Sequence, residues 1–103
     1  MKLLTAAILK KMPKLGSTSK QKPDQIPVVA KFFDPTGSYT FYSTEGETQG
    51  DDYLMFGYVT GLFEDELGYV SMNELKAVRG RFGLGIERDL HFDGVMLSEV
   101  MKK

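Results

Sequence analysis

The sequence predicts an α+β fold, in which a mainly antiparallel sheet of four or five strands is covered on one face by two short helices. Three observations predict it: a hairpin with strong turn chemistry in residues 26–47, an apolar strand at residues 53–63, and a helix start at Ser71. Because 103 residues suffice for one core, we expect a single domain over residues 1–103.

The first expected element is a short helix. Thr5 is a good N-cap, the residues after it favour helix, and Pro13 ends it. Leu4, Ile8 and Met12 form one apolar stripe, which must dock on the sheet because so short a helix is marginal alone. The segment resembles a signal peptide only faintly, and we expect it to be a helix of the mature protein.

The hairpin is predicted from the turn sequence DPTG at residues 34–37, which separates two runs rich in β-branched and aromatic residues. Gly37 is expected in the left-handed conformation of a G1 bulge. A three-residue loop of this kind would pair Phe33 with Tyr39.

Residues 53–63 are too apolar and too rich in glycine for a surface helix. We expect a long central strand, buried on much of both faces, in which Gly57 and Gly61 mark bends, a bulge or the close approach of another backbone. An exposed acidic turn then leads to a short strand at residues 67–70.

Ser71 and Glu74 form a capping box, which predicts a helix with Gly80 at its C′ position. The alternating residues 86–92 indicate a half-buried or edge strand, or an extended loop. Ser98 is a candidate N-cap of a short C-terminal helix.

The composition argues against several kinds of chemistry. The absence of cysteine excludes disulfides and thiolate sites, and it fits a cytoplasmic protein. A single histidine, His91, argues against a zinc site and a catalytic triad. No apolar stretch approaches the length that crosses a bilayer, so we expect no membrane partner.

Charge is distributed unevenly along the chain. Residues 1–31 carry a net charge of +6, residues 32–75 carry −9 with no lysine or arginine, and residues 76–103 carry +2. One interpretation is a mixed surface on which these charges neutralise one another. The other is an acidic face that meets a basic protein or imitates a phosphate backbone.

The candidate binding residues are the carboxylates of two acidic segments and three arginines after the predicted helix. They are Glu45, Glu47, Asp51, Asp52, Glu64, Asp65, Glu66, Arg79, Arg81 and Arg88.

Four of these carboxylates, in residues 45–52, could hold Mg²⁺ or Mn²⁺ if the loop folded back. Because no fixed metal-loop spacing is present, a solvated turn is the favoured interpretation, and we predict no catalytic residue, metal or cofactor. The glycine-rich residues 80–85 do not match a phosphate-binding motif. Tyr39, Phe41 and Tyr42 could stack bases, but the lack of nearby cations makes nucleic acid the less favoured partner.

The order of these sequence signatures resembles that of a known family. An N-terminal MKLLT, a hairpin ending in YSTEGE, the strand FGYVTG, then ELGYVSMNEL and RGRFGLGIERDLHF follow one another in this order. The combination resembles a small bacterial family, domain of unknown function 2958, over roughly residues 1–100. The resemblance implies a short cytoplasmic protein carried on plasmids, conjugative elements and phages, often among antirestriction-type genes. It implies a habitat rather than an activity.

We therefore expect a non-enzymatic accessory protein of a mobile genetic element. It would bind a host defence or DNA-processing protein through its acidic surface and inhibit or modulate it; the expected partner is thus a host or element-encoded protein. The main alternative is a metal-dependent single-stranded-DNA nuclease or a nucleic-acid-binding protein, and a third possibility is a small-ligand-binding domain with a pocket between the helices and the glycine-bent strand. The sequence leaves the oligomeric state open.

Overall fold

The computed structural model describes residues 2–102, apart from the side chain of Arg81. Its strands are β1 (Ala30–Phe33), β2 (Thr40–Gln49), β3 (Asp52–Thr60), β4 (Glu66–Ser71) and β5 (Glu87–Arg88). They form one antiparallel sheet in the order β4-β3-β2-β1-β5. The helices of the described part are α1 (Ala6–Lys11), α2 (Met72–Ala77) and α3 (Leu97–Met101), with 3-10 turns at Pro23–Gln25 and Arg81–Gly83. The predicted α+β class and the five-stranded antiparallel sheet are confirmed.

Two hydrophobic cores lie on opposite faces of the sheet. On the first face, α1 and α2 pack over a core that includes Phe32, Phe41 and Met55. On the second face, α3 contributes Leu97 to a smaller core that includes Tyr58. Two helices thus share one face as predicted, and the third helix covers part of the other. Within residues 2–102, no helix is long and apolar enough to span a membrane.

The β1–β2 hairpin differs from the prediction by one residue in its register. Phe33 pairs with Thr40 instead of Tyr39, and Phe32 consequently pairs with Phe41. This register places Phe32 and Phe41 in the same core, with their ring centroids 6.4 Å apart.

The hairpin loop explains the shift. The Gly37 amide donates to the Asp34 carbonyl at 3.2 Å, and one further residue, Ser38, precedes Tyr39, whose carbonyl accepts the closing hydrogen bond from the Asp34 amide at 3.0 Å. Gly37 is not left-handed, so the predicted G1 bulge is wrong. A glycine fits here because a Cβ would lie 2.8 Å from the Asp34 carboxylate.

A β-bulge interrupts β2 where its pairing with β3 shifts between Ser43 and Glu45. Opposite the bulge, a Cβ on Gly57 would lie 1.9 Å from the Tyr42 carbonyl oxygen. The predicted close approach of another backbone is therefore confirmed at Gly57. Beyond the bulge, Glu45 pairs with Phe56, which places its side chain on the second face.

The start of α2 is confirmed, whereas the predicted role of Gly80 as its C′ residue is wrong. The Ser71 hydroxyl accepts from the Glu74 amide at 3.0 Å, and the Ser71 amide donates to the Glu74 carboxylate at 3.2 Å. The helix ends with Val78 as its C-cap, before the predicted C′ residue. Gly80 instead allows the chain to pack closely against the β1–β2 turn, because a Cβ there would lie 2.7 Å from the Asp34 carboxylate.

Thr5 caps α1 as predicted, accepting from the Ile8 amide at 3.2 Å. Of residues 86–92, only Glu87–Arg88 form a strand, which pairs with β1 at the edge of the sheet. The predicted Ser98 N-cap is wrong, since the N-cap of α3 is Met96, two residues earlier, and Ser98 lies inside the helix.

Candidate functional site

The acidic candidate residues lie at opposite ends of β3. Glu47, Asp51 and Asp52 lie around the β2–β3 turn, whereas residues 64–66 lie at and before the start of β4. The nine residues of β3 separate the two groups, which corresponds to roughly 30 Å at the usual rise of a strand. The two groups therefore belong to different surfaces.

Residues 64–66 lie at an end of the sheet that we call the loop end, which comprises residues 34–39, 61–66 and 78–86. There, the Ser38 hydroxyl donates to the Gly61 carbonyl at 2.8 Å. Gly61 has a φ of 88°, and a Cβ on it would lie 1.9 Å from the Ser38 carbonyl oxygen. Conformation and space both require glycine, and the acidic loop is thereby packed on the β1–β2 turn.

The connection after α2 contacts the same turn. The Asp34 carboxylate accepts from the Thr36 amide at 2.8 Å and from the Thr36 hydroxyl at 2.9 Å, which fixes the turn. Gly80 then lies against this pair, too close for any side chain of its own. The acidic loop and the connection after α2 thus both pack on the β1–β2 turn, which places residues 64–66 and Arg79 at the same end of the molecule.

Large apolar side chains at the loop end are exposed to solvent. Phe63 is fully exposed, Leu62 is 62% exposed and Phe82 is 86% exposed. Phe63 directly precedes the three exposed carboxylates of residues 64–66. Exposed aromatic side chains beside charged ones are typical of surfaces that bind another protein.

The backbone around Phe82 is strained. Phe82 has a φ of 64°, followed by Gly83 with a φ of 73°, and the left-handed region costs a bulky residue about 1–2 kcal/mol. Two hydrogen bonds fix this segment, from the Gly80 amide to the Leu84 carbonyl at 2.7 Å and from the Gly83 amide to the Gly80 carbonyl at 3.1 Å. The loop that exposes Phe82 is therefore held in shape by its own backbone.

Arg79 hydrogen-bonds to backbone carbonyls of α2 and its C-cap, while its side chain stays exposed to solvent. One guanidinium nitrogen donates to the Lys76 carbonyl at 2.7 Å and to the Val78 carbonyl at 2.8 Å, which stabilises the end of α2. Its side chain remains exposed. The side chain of Arg81 lies outside the described part of the structure.

A cleft of about 830 Å³ adjoins Arg79 on the first face of the sheet. Leu3, Met72 and Ile86 are among its apolar lining residues. Lys2 and Lys76 add positive charge, and Glu87 supplies the one carboxylate among the described lining residues. A basic cleft therefore lies next to the acidic loop end.

Asp52 stabilises the start of α2. Its carboxylate accepts from the Tyr53 amide at 2.7 Å and the Asn73 amide at 3.1 Å. Desolvation is the largest single influence on this carboxyl and opposes its ionisation. The hydrogen bonds from Asn73, Tyr53 and Ser71, together with the charge of Lys76, outweigh it and lower the pKa of Asp52.

Glu45 lies in the interior, although the acidic surface was expected to begin there. Its side chain is 3% exposed and accepts from the Gly16 amide at 2.7 Å, the Thr18 amide at 2.9 Å and the Thr18 hydroxyl. The Gly46 amide also donates to the Pro13 carbonyl at 2.9 Å. These bonds hold the chain that follows α1 along the part of β2 that extends beyond β1.

Arg88 likewise has a structural role. It donates to the Lys2 carbonyl at 2.5 Å and to the Leu3 carbonyl at 3.3 Å. Because Arg88 belongs to the edge strand β5, these bonds hold the N-terminal segment against the sheet.

A metal site would need carboxylates that converge. Within residues 2–102, no three His, Asp or Glu side chains lie in an arrangement that could hold a metal ion. Glu45 binds the connection after α1, whereas Asp52 binds the start of α2. The single histidine, His91, is exposed.

The exposure of Phe63 was not predicted, because the strand was expected to continue to this residue. β3 ends at Thr60, and the left-handed Gly61 turns the chain out of the sheet. The available signal was a glycine followed, after two apolar residues, by three consecutive carboxylates. That pattern is more typical of an exposed loop than of a buried strand end.

Comparison with family models places nearly the whole chain in one family. The model of a family described as "Protein of unknown function (DUF2958)" matches residues 3–102. No curated protein and no solved structure matches the chain. The family match includes all five strands and the loop end.

Proposed function

The chain belongs to the family described as "Protein of unknown function (DUF2958)", and from the loop end we propose that it is a non-enzymatic protein that binds another protein there. The observation that carries the proposal is the fully exposed ring of Phe63 beside the carboxylates of residues 64–66. An aromatic side chain that enters a partner's pocket commonly supplies much of the binding energy of an interface.

The proposed partner has a basic surface with an apolar pocket. Charges around an aromatic anchor speed association and set orientation, so Glu64 and Glu66 would face lysine or arginine side chains. The same carboxylates repel phosphate, which favours a protein partner over nucleic acid. We further propose that the protein is encoded by a plasmid or phage and acts in the cytoplasm. Its target would be a host defence or DNA-processing protein, which it inhibits or modulates.

Charge reversal tests the proposal. Tagged wild-type protein is incubated with lysate of a bacterial host and cross-linked, and the captured proteins are identified by mass spectrometry. The same is done with the double variant Glu64→Lys, Glu66→Lys. The matched control is Glu47→Lys, Asp51→Lys, which makes the same charge change at the other end of β3.

We expect a protein that the wild type and the control both capture and that the loop-end variant loses. Circular dichroism and a thermal melt establish that each variant is folded. Capture of the same partner by the loop-end variant, or no specific partner at all, would overturn the proposal.

A further inference from the structure

A second cavity, of about 280 Å³, lies on the second face of the sheet. Two of its walls are the rings of Phe56 and Tyr69, a cross-strand pair of β3 and β4. Their centroids are 5.0 Å apart and their planes meet at 61°. Tyr69 is 64% exposed, so its ring is accessible from solvent.

The buried carboxylate of Glu45 lines the same cavity. Its hydrogen-bond donors, two amides and one hydroxyl, are all uncharged. Among the described residues, an ion pair joins Lys31 and Asp89, and none involves Glu45. The buried Glu45 carboxylate therefore lies beside an accessible cavity, and none of the described residues forms an ion pair with it.

We propose that this cavity binds a primary alkylammonium group, as carried by the side chain of lysine. Aromatic faces attract organic cations through their quadrupole, and the Glu45 carboxylate supplies the opposite charge. Ile26 and Leu67 also line the cavity and offer apolar contact to a methylene stem. The volume lies just below the range of roughly 300–1,000 Å³ that is typical of drug-sized ligands, which suits one long side chain.

A primary ammonium fits better than a quaternary one. It has three N–H donors, and Ser19 and Gln21 at the cavity offer side-chain acceptors in addition to the carboxylate. Lys20 and Lys22 lie in the same connection, but both are exposed, so solvent screens their repulsion. The site is separate from the loop end and does not depend on the function proposed for it.

Titration of the ¹⁵N-labelled protein with n-butylammonium chloride tests this site by nuclear magnetic resonance. The amides of Gly16 and Thr18 are the reporters, because both donate to Glu45. Sodium chloride controls for ionic strength, n-butanol controls for the apolar stem, and tetramethylammonium tests the preference for a primary amine. Nα-acetyl-lysine amide distinguishes a lysine side chain from a free amine.

We expect saturable chemical-shift changes of both reporter amides with n-butylammonium and with the lysine derivative. Butanol and sodium chloride should cause no saturable change. Tyr69→Leu keeps an apolar side chain and should weaken binding roughly two- to thirty-fold. Phe63→Leu is the matched control and should leave binding unchanged. Butanol binding as well as the amine, tighter binding of tetramethylammonium, or an unaltered affinity in Tyr69→Leu would each overturn the proposal.

Discussion

The carboxylate of Glu45 accepts a 2.9 Å hydrogen bond from the amide of Thr18, 27 residues earlier in the chain. The bond joins the bulged strand β2 to the connection between α1 on the first face and Ile26 on the second. One buried carboxylate thus helps to hold the passage of the chain from one face of the sheet to the other.

Replacing this carboxylate should destabilise the fold. Glu45→Gln puts an amide nitrogen, which cannot accept a hydrogen bond, in the place of an oxygen that now accepts one from a backbone amide. We therefore expect a loss of about 1.5–3 kcal/mol in the free energy of unfolding. Urea denaturation measures it. Glu47→Gln, two residues along β2, is the control and should change stability by less than about 0.5 kcal/mol. Equal stability of the two variants would contradict the structural role of Glu45.

Gly57→Ala should be severely destabilising, because its Cβ would lie 1.9 Å from the Tyr42 carbonyl oxygen. We expect a loss of more than about 2 kcal/mol, since the obstacle is backbone that belongs to the sheet. Gly68 is paired with Gly57 across β3 and β4, and its Cβ would meet nothing within 4 Å. Gly68→Ala should therefore be neutral or slightly stabilising in the same thermal melts, and a similar loss in both variants would refute the role of the close approach.

Asp52 should make stability depend on pH at the acid end. Its pKa is lowered in the folded protein, so its contribution is present above the unfolded value of about 3.9 and is lost as the pH falls through the lower folded value. Asp52→Asn should therefore be less stable than the wild type at neutral pH, and the difference should shrink on acidification below about pH 4. Urea denaturation across this range measures it, with Asp51→Asn as the control. A difference that is independent of pH would contradict the prediction.

The features that the sequence predicted well depend on short stretches of chain. The capping box joins Ser71 and Glu74 within one helical turn. A glycine inside a strand predicted a bend, a bulge or a close backbone approach at Gly57, and the close approach is observed. The exposed acidic turn at residues 64–66 was also predicted from a short stretch, that of three consecutive carboxylates.

The features that it did not predict depend on distant contacts. The burial of Glu45 requires donors from Gly16 and Thr18, which the sheet brings near only after it has formed. The hairpin register depended on how many residues follow the turn at Asp34, and turn chemistry alone does not determine that number. The two acidic groups belong to one stretch without lysine or arginine, residues 32–75, which predicted a shared acidic face, but the length of β3 separates them.

The most direct test of the binding function is to cross-link from the position of Phe63 itself. A photo-crosslinking phenylalanine analogue is incorporated at position 63, and in a control protein at position 90, where Leu90 is also largely exposed but lies outside the loop end. Both proteins are expressed and irradiated in bacterial cells. The proposal predicts a discrete protein adduct from position 63 that is absent from position 90 and is lost when Glu64→Lys and Glu66→Lys are added. No adduct from position 63, or the same adducts from both positions, would contradict it.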